Sequence, residues 1–269
     1  MKLIMTLLVK DEDDILKENI EFHLANGVDY IIALDNNSTD NTSDILRSFE
    51  KQKVLHYIHE TSNEYNQSQW VTNMARIAFQ NYKADWIINN DADEFWLPIN
   101  NKTLKQAILE NITNDIGSLT VSRHNFVCIE GSTAPFYESL IYRYRGCVQP
   151  KCLHRGFLKV KVSKGNHSVQ FFDKQYTNTF LEDIKILHFP YRNLTQFTKK
   201  TKNIINSVQN NKNWTGGHHW KKHTENTLKT QNINLEFQKF CLTQKILTQK
   251  IKKNAIVKDE RLFNFFINK

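Results

Sequence analysis

The sequence predicts an α/β domain over residues 1–194, a Rossmann-like mixed sheet flanked by helices, followed by a basic, mainly helical region over 195–269. Three observations predict it. Short apolar runs alternate with amphipathic stretches, the order expected of an open and mostly parallel sheet with helices on both faces. Acidic residues stand at or just past the ends of three of those runs, where open α/β sheets bind their ligands. The charge then changes sign along the chain: residues 1–194 carry 21 Lys and Arg against 24 Asp and Glu, and residues 195–269 carry 15 against 4.

Residues 3–9 (LIMTLLV) read as a buried strand, and 13–26 as a helix with Leu16, Ile20, His23 and Leu24 on one side and Gly27 as its C-cap. YIIALD (30–35) is a second strand, stopped by Asn36-Asn37-Ser38-Thr39-Asp40, a cluster of turn formers and N-caps that leads into a helix through Ile45, Leu46 and Phe49. Residues 54–59 form a third strand and 67–82 a third helix. A strand at 86–89 follows, then a polar turn, with Pro98 ending the element. From 117 to 190 short β-rich runs predict a mixed or antiparallel extension, and beyond Pro190 the chain becomes lysine-rich and weakly helical.

A chain of 269 residues that is 40% hydrophobic and 12% aromatic can bury a large core, which excludes a disordered protein. It has no apolar run long enough for a membrane-spanning helix. The opening MKLIMTLLVKDEDD lacks a small-residue cleavage site and runs into acidic residues, so it reads as a strand, and a cytoplasmic location is expected. The four cysteines (Cys128, Cys147, Cys152 and Cys241) show no CxxC pair, and their spacing predicts reduced, structural thiols.

The central chemical signal is Asp91-Ala92-Asp93-Glu94, directly after the apolar run WII. Carboxylates one residue apart on a tight turn can converge on a hard cation such as Mn²⁺ or Mg²⁺ that keeps positions open for phosphate oxygens. A cation on a diphosphate promotes its departure as a leaving group. Asp35, at a strand end, is placed to accept from the imide of a uracil ring. His167, in a glycine-introduced turn, and His188, at a strand end, are the candidates for a further metal ligand. Glu94 is the nearest carboxylate to serve as general base, with Glu130, Asp173, Glu182 and Asp183 as alternatives. Arg123, Arg143, Arg145, Arg155 and Arg192 could fork onto phosphates or acidic sugars, and Trp70, Phe95 and Trp96 could stack on a sugar face.

The stretches LLVKDEDDILKENIEFHLANGVDYIIALDNNSTDNT and DWIINNDADEFW, with the later GNH and LHFPYR, resemble family 2 glycosyltransferases, nearest to a bacterial branch with a D-x-D-E-F centre. The resemblance covers about residues 1–200. It implies a GT-A type fold, a nucleotide-diphosphate sugar donor, a saccharide acceptor and inversion at the anomeric carbon, in the synthesis of bacterial surface glycans such as lipopolysaccharide or capsule. Carried over by position, Lys10, Asp11, Glu12, Asp35 and Asp91 would contact the nucleotide, and Asp91 and Asp93 the metal, Asp93 being the better ligand. Asp11 stands where asparagine is more usual.

The lysines of the last quarter (Lys199, Lys200, Lys202, Lys221, Lys222, Lys250, Lys252 and Lys253) are interspersed with Phe197, Trp214, Trp220, Phe240, Phe265 and Phe266. That pattern suits peripheral attachment to an anionic membrane surface, where the acceptor would be lipid-linked. Two other classes compete. A nucleotidyltransferase or related metal-dependent nucleotide enzyme would need a phosphate-cradling glycine loop, and eight glycines with no Walker-type run do not supply one. A nucleic-acid-binding protein would account for the basic tail, yet no RNA- or DNA-binding motif accompanies it, so no nucleic-acid partner is expected.

Overall fold

A computed structural model describes residues 1–62, 66–131, 134–210 and 232–268. The chain forms two compact units. The first comprises Met1–Ser62, Asn66–Arg123 and Val148–Leu187; the second collects the described residues of His124–Cys147 and His188–Lys269. One cut near residue 195 therefore does not describe the units, because residues 124–147 leave the first unit and the chain returns to it at Val148.

The first unit is built as the alternation predicts: β1 (Leu3–Val9), α1 (Leu16–Ala25), β2 (Tyr30–Asp35), α2 (Thr42–Lys51), β3 (Leu55–His59), α3 (Gln67–Gln80) and β4 (Trp86–Asp91). Strands β3, β2, β1 and β4 lie side by side and run parallel. Six of the seven residues of β1 are buried, as expected of a central strand covered on both faces. Helix α1 ends in a Schellman motif: Gly27, at φ +99°, donates to Leu24 O, and Val28 donates to His23 O.

Beyond β4 come β5 (Glu94–Pro98), α4 (Leu104–Leu109), β6 (Ile116–Asn125), β9 (Val148–Arg155) and β12 (Thr177–His188), with the hairpin β10 (Val160–Val162) and β11 (Val169–Phe171) between the last two. The eight-stranded sheet has the order β3-β2-β1-β4-β9-β6-β12-β5, and β9 is antiparallel to both β4 and β6. Two features differ from the sequence expectation. Strand β4 continues through Asn89 and Asn90 to Asp91, because those buried polar side chains find distant partners: Thr6 Oγ1 donates to Asn89 Oδ1, and Asn90 bonds Asn19 and Trp96. Residues 94–98 then form a strand instead of the tail of a turn.

That extra strand dictates the sheet's shape. Only Ala92 and Asp93 separate β4 from β5, yet three strands stand between them in the sheet. Four strand spacings in a flat sheet would be about 19 Å, while three residue steps span at most about 11 Å. The sheet must curl, and the curl brings the faces of β9 and β6 over the 92–93 turn.

The second unit holds the short elements β7 (Cys128–Ile129), α5 (Phe136–Ser139) and β8 (Tyr142–Tyr144) from the inserted segment. It continues with α6 (Leu194–Asn210), α7 (Ile233–Gln238), β13 (Cys241–Leu242), α8 (Gln244–Lys252), β14 (Ile256–Lys258) and α9 (Arg261–Ile267). Here β13 pairs in parallel with β7, and β14 antiparallel with β8. Phe197 is buried, with ring centroids 5.2 Å from Phe237 and 5.6 Å from Phe240, so these tail aromatics form a core. Trp214, Trp220, Lys221 and Lys222 lie outside the described residues. Among the described residues, no helix is long and apolar enough to cross a membrane.

Candidate active site

The strand order places a switch point between β1 and β4: the chain builds outward from β1 to β3, then crosses back to the other side of β1. Such a point opens a crevice beyond the carboxyl ends of the strands. Register aligns those ends closely, since Val9 pairs with Asp35 and Leu8 with Asp91. The predicted residues Lys10, Asp11, Glu12, Asp35 and Asp91 are thereby gathered along one rim.

On the β1–β2 side, two loops are stitched together. Lys10 Nζ donates to Asn36 O at 2.9 Å, and the Glu12 amide donates to Thr42 Oγ1 at 3.0 Å. Asp11 sits at φ +53°, a left-handed conformation that Asn and Asp tolerate better than other non-glycine residues, which explains why Asp can stand where Asn is usual. Its Oδ1 accepts from the Thr39 amide at 2.6 Å, and its own amide donates to Ser38 Oγ. Asp35 is fully buried, with Oδ1 accepting from the Ser38 amide and Oδ2 accepting from Ser43 Oγ and Tyr57 OH. In this structure Asp35 holds the loop in shape. Three donors converge on it because it ends a central strand just where the helix-capping cluster begins.

On the β4 side the Asp91–Glu94 turn is embedded in charge. Lys151, projecting from β9 and only 1% exposed, places Nζ 2.5 Å from Asp91 Oδ2 and 3.2 Å from Glu94 Oε1. Arg123 of β6 donates to the same Glu94 oxygen at 2.8 Å. Burial alone would lower the Lys151 pKa, but the Asp91 and Glu94 carboxylates outweigh it and hold the ammonium above its ordinary range. Asn166 Nδ2 donates to Asp91 Oδ1 at 3.3 Å. Glu94 is fully buried, and its Oε2, like Asn166 Oδ1, lacks a hydrogen-bond partner. Asp93 is itself buried, at 5% exposure.

Behind the turn, α1 supplies a polar scaffold. Asn19 Nδ2 donates to both Ala92 O and Glu94 O, at 2.9 and 2.8 Å. Trp96 Nε1 donates to Asn90 Oδ1, and the Trp96 amide donates to His23 Nε2. His23 Nδ1 therefore carries the proton and donates to Asn19 O at 2.7 Å. Burial pushes the His23 pKa down to about 4 despite that bond, so the ring stays neutral. Asn19 and His23 of α1 thus brace the turn.

His167 also approaches from the first unit. The β10–β11 hairpin docks on α3 through Thr72 Oγ1, which accepts from the Val162 amide, and through Gln67 Oε1, which accepts from the Gly165 amide. His167 Nδ1 lies 2.7 Å from Pro150 O and must donate to it, leaving Nε2 as a lone-pair atom. Partial burial depresses its pKa, with Lys151 and Arg123 contributing. His188 belongs to the second unit, where its Nδ1 lies 2.6 Å from Asn125 Oδ1.

Several sequence candidates have other occupations. Phe95 and Trp96 are fully buried and Trp70 nearly so, which makes them packing and not sugar platforms. Of the arginines, Arg123 meets the turn; Arg143 binds Asp259, Arg145 binds Asn254, Arg155 caps the carbonyls of Ile116 and Thr113, and Arg192 donates to Phe189 O. Asp183 is held by Lys102 and Asn111. Lys151, Asn166 and Asn19 were not singled out from sequence. A lysine flanked by cysteine and proline on a β-rich run carries no local signal, since only the antiparallel pairing of β9 with β4 brings it to Asp91.

Among solved structures, the chain is similar to S. aureus TarS 1-349 in complex with UDP (12% identity, 86% of this chain and 72% of that one, TM-score 0.44). It is similar to the same protein with UDP-GlcNAc (11%, 83% and 70%, TM-score 0.46). Glucosyl-3-phosphoglycerate synthase from Mycobacterium tuberculosis, in complex with Mn²⁺, UDP and phosphoglyceric acid, matches less of the chain (15%, 46% and 43%, TM-score 0.33). No curated protein sequence matches significantly. The sequence motifs resemble family 2 glycosyltransferases, but the family model that matches is another one, Glycosyltransferase family 92, over residues 5–143. That match spans just over half of the chain and takes in the strand-end rim and the Asp91–Glu94 turn, and on it the chain, a glycosyltransferase, belongs to glycosyltransferase family 92.

Proposed function

We propose that the enzyme transfers a hexose-type sugar from a nucleoside-diphosphate donor, with UDP-sugars the first choice, to a saccharide acceptor, with inversion. The observation that carries this reading is the Asp91–Glu94 turn, braced from behind by α1 and set at the β1/β4 switch point. The nucleoside would lie along the 10–12 and 36–42 loops, which Asp35 and Asp11 hold in shape, and the diphosphate would cross to the turn. Lys10 borders that path.

The residues fit a divalent cation. Asp91, Asp93 and Glu94 offer hard oxygen donors, and the buried Glu94 Oε2 and Asn166 Oδ1 atoms are without partners. Three carboxylates against the ammonium of Lys151 and the guanidinium of Arg123 leave a formal charge of −1, which suits Mn²⁺ or Mg²⁺. Asp93 would be the principal protein ligand, with Asp91 beside it and the His167 ring as a further candidate. Such an ion, when bound, supplies electrostatic stabilisation of the departing diphosphate. Lys151 and Arg123 fix Asp91 and Glu94 in place, so that little reorganisation is needed as charge develops on the leaving group.

Glu94, sealed from solvent and shared by two cations, suits orientation of the turn better than proton abstraction. His167 is neutral with Nε2 as an acceptor, so it is the better placed of the two to take the acceptor's proton. A role in surface-glycan synthesis and peripheral attachment to an anionic membrane through the C-terminal lysines follow from the sequence pattern alone. A panel of nucleotide sugars assayed for release of the nucleoside diphosphate, with and without Mn²⁺, tests the core of the reading. Turnover of a UDP-hexose that disappears on chelation is expected; turnover of nucleoside triphosphates instead would contradict it.

A further inference from the structure

The second unit contains a pair of groups that glycosyl transfer does not use. Strands β7 and β13 pair in register through Cys128↔Cys241 and Ile129↔Leu242, so the two cysteines face each other across the ladder. Their sulfurs are 2.8 Å apart, and both are free thiols. Neighbouring strands lie about 4.8 Å apart, inside the Cα separation of about 4.4–6.8 Å that a disulfide spans. Closing the bond needs the sulfurs to move together by only about 0.8 Å, to the covalent length near 2.05 Å. The segment is held firmly at that register: Val127 and Leu242 are buried with Leu247 and Ile256 in one apolar cluster, and Ile129 packs against it.

The two thiols are not equivalent. Cys128 is 3% exposed, whereas Cys241 is partly open to solvent. The Cys241 S–H donates to Cys128 Sγ, which lowers the Cys128 pKa and raises that of Cys241. The pair therefore shares one proton readily and gives up the second reluctantly. Sequence spacing did not reveal the pair, because 113 residues separate its members.

We propose that Cys128 and Cys241 are a redox-active pair that closes into a disulfide on exposure to a small-molecule disulfide such as oxidised glutathione. In the first exchange Cys241, the accessible partner, passes its proton to the Cys128 thiolate beside it and attacks the oxidant; a mixed disulfide forms and one small thiol leaves. Cys128 Sγ then attacks Cys241 Sγ and expels the second small thiol. The protein loses two electrons and two protons, and the oxidant gains both. The product staples β13 to β7, tying the C-terminal helices of the second unit to its inserted segment. This inference is independent of the glycosyl-transfer reading.

The test incubates the full chain with oxidised glutathione, removes the reagent, counts thiols after unfolding and maps cross-linked peptides by mass. The wild type is expected to fall from four thiols to two, with one Cys128–Cys241 cross-link that dithiothreitol reverses. Cys147→Ser should retain the cross-link, and Cys241→Ser should lose it while remaining folded by circular dichroism. Cys152, whose pKa burial pushes up to about 12, should stay unreacted in the native chain as an internal control. Retention of all four thiols, a stable glutathione adduct at Cys241, or a cross-link through Cys147 would each overturn the proposal.

Discussion

Replacing Lys151 with Met asks how much of the turn depends on one buried cation. At an effective dielectric of about 20, contacts of 2.5 Å to Asp91 and 3.2 Å to Glu94 are worth about 7 and 5 kcal/mol. Desolvating an ammonium that is 1% exposed offsets several kcal/mol of that gain. The variant loses the attraction and leaves two carboxylates facing each other, with Arg123 still on Glu94. The net expected loss is about 3–5 kcal/mol, as for other buried pairs deprived of one partner. Urea denaturation at pH 7 measures it, and a cycle with Glu94→Gln apportions it: the double variant should be less destabilised than the sum of the singles. A loss below about 1 kcal/mol, or strict additivity, would show that Lys151 is not neutralising the turn.

Other expectations follow from the same structure. His23 and His154 are buried and neutral, each with its pKa pushed down to about 4 by burial. The unfolded chain binds protons on both rings near pH 6.5, so stability falls as pH drops from about 6.5 to 4, by about 3 kcal/mol for each ring. His23→Gln should flatten part of that slope in denaturant melts, and an unchanged slope would contradict the assignment. Gly165 sits at φ +74°, and a Cβ there would lie 2.6 Å from His167 Nε2. Gly165→Ala should cost about 1–3 kcal/mol and displace the imidazole, lowering turnover more than it lowers stability at assay temperature. Asp259 is 8% exposed, and although its burial acts upward, the guanidiniums of Arg261 and Arg143 prevail and set its pKa at about 2. Its contribution is present above about pH 4 and is lost as pH falls towards 2, so Asp259→Asn should remove about 2 kcal/mol at pH 7 and much less at pH 2.

Much of the first unit was legible in the sequence because its signals are local. Apolar runs of strand length, Gly27 after an amphipathic stretch and the capping cluster at 36–42 each act within a few residues. The placement of Asp35 and Asp91 at neighbouring strand ends follows from parallel pairing of those runs. What escaped depends on distant residues. Asn89 and Asn90 look like a turn until Thr6, Asn19 and Trp96 are seen to bond them in the interior. With β4 lengthened and β5 missed, neither the curl nor the arrival of Lys151 and Arg123 could be foreseen. The charge of the tail was visible, whereas the role of Phe197, Phe237 and Phe240 as a core was not, since an aromatic beside a lysine reads equally well as membrane-facing or packed.

Manganese binding, followed by electron paramagnetic resonance with UDP present, tests the Asp91–Glu94 turn most directly. The wild type should bind one ion per chain with its signal altered by UDP, and Asp93→Ala should leave the manganese free and abolish transfer. An Asp93→Ala enzyme that still binds manganese and still turns over with it would contradict the account.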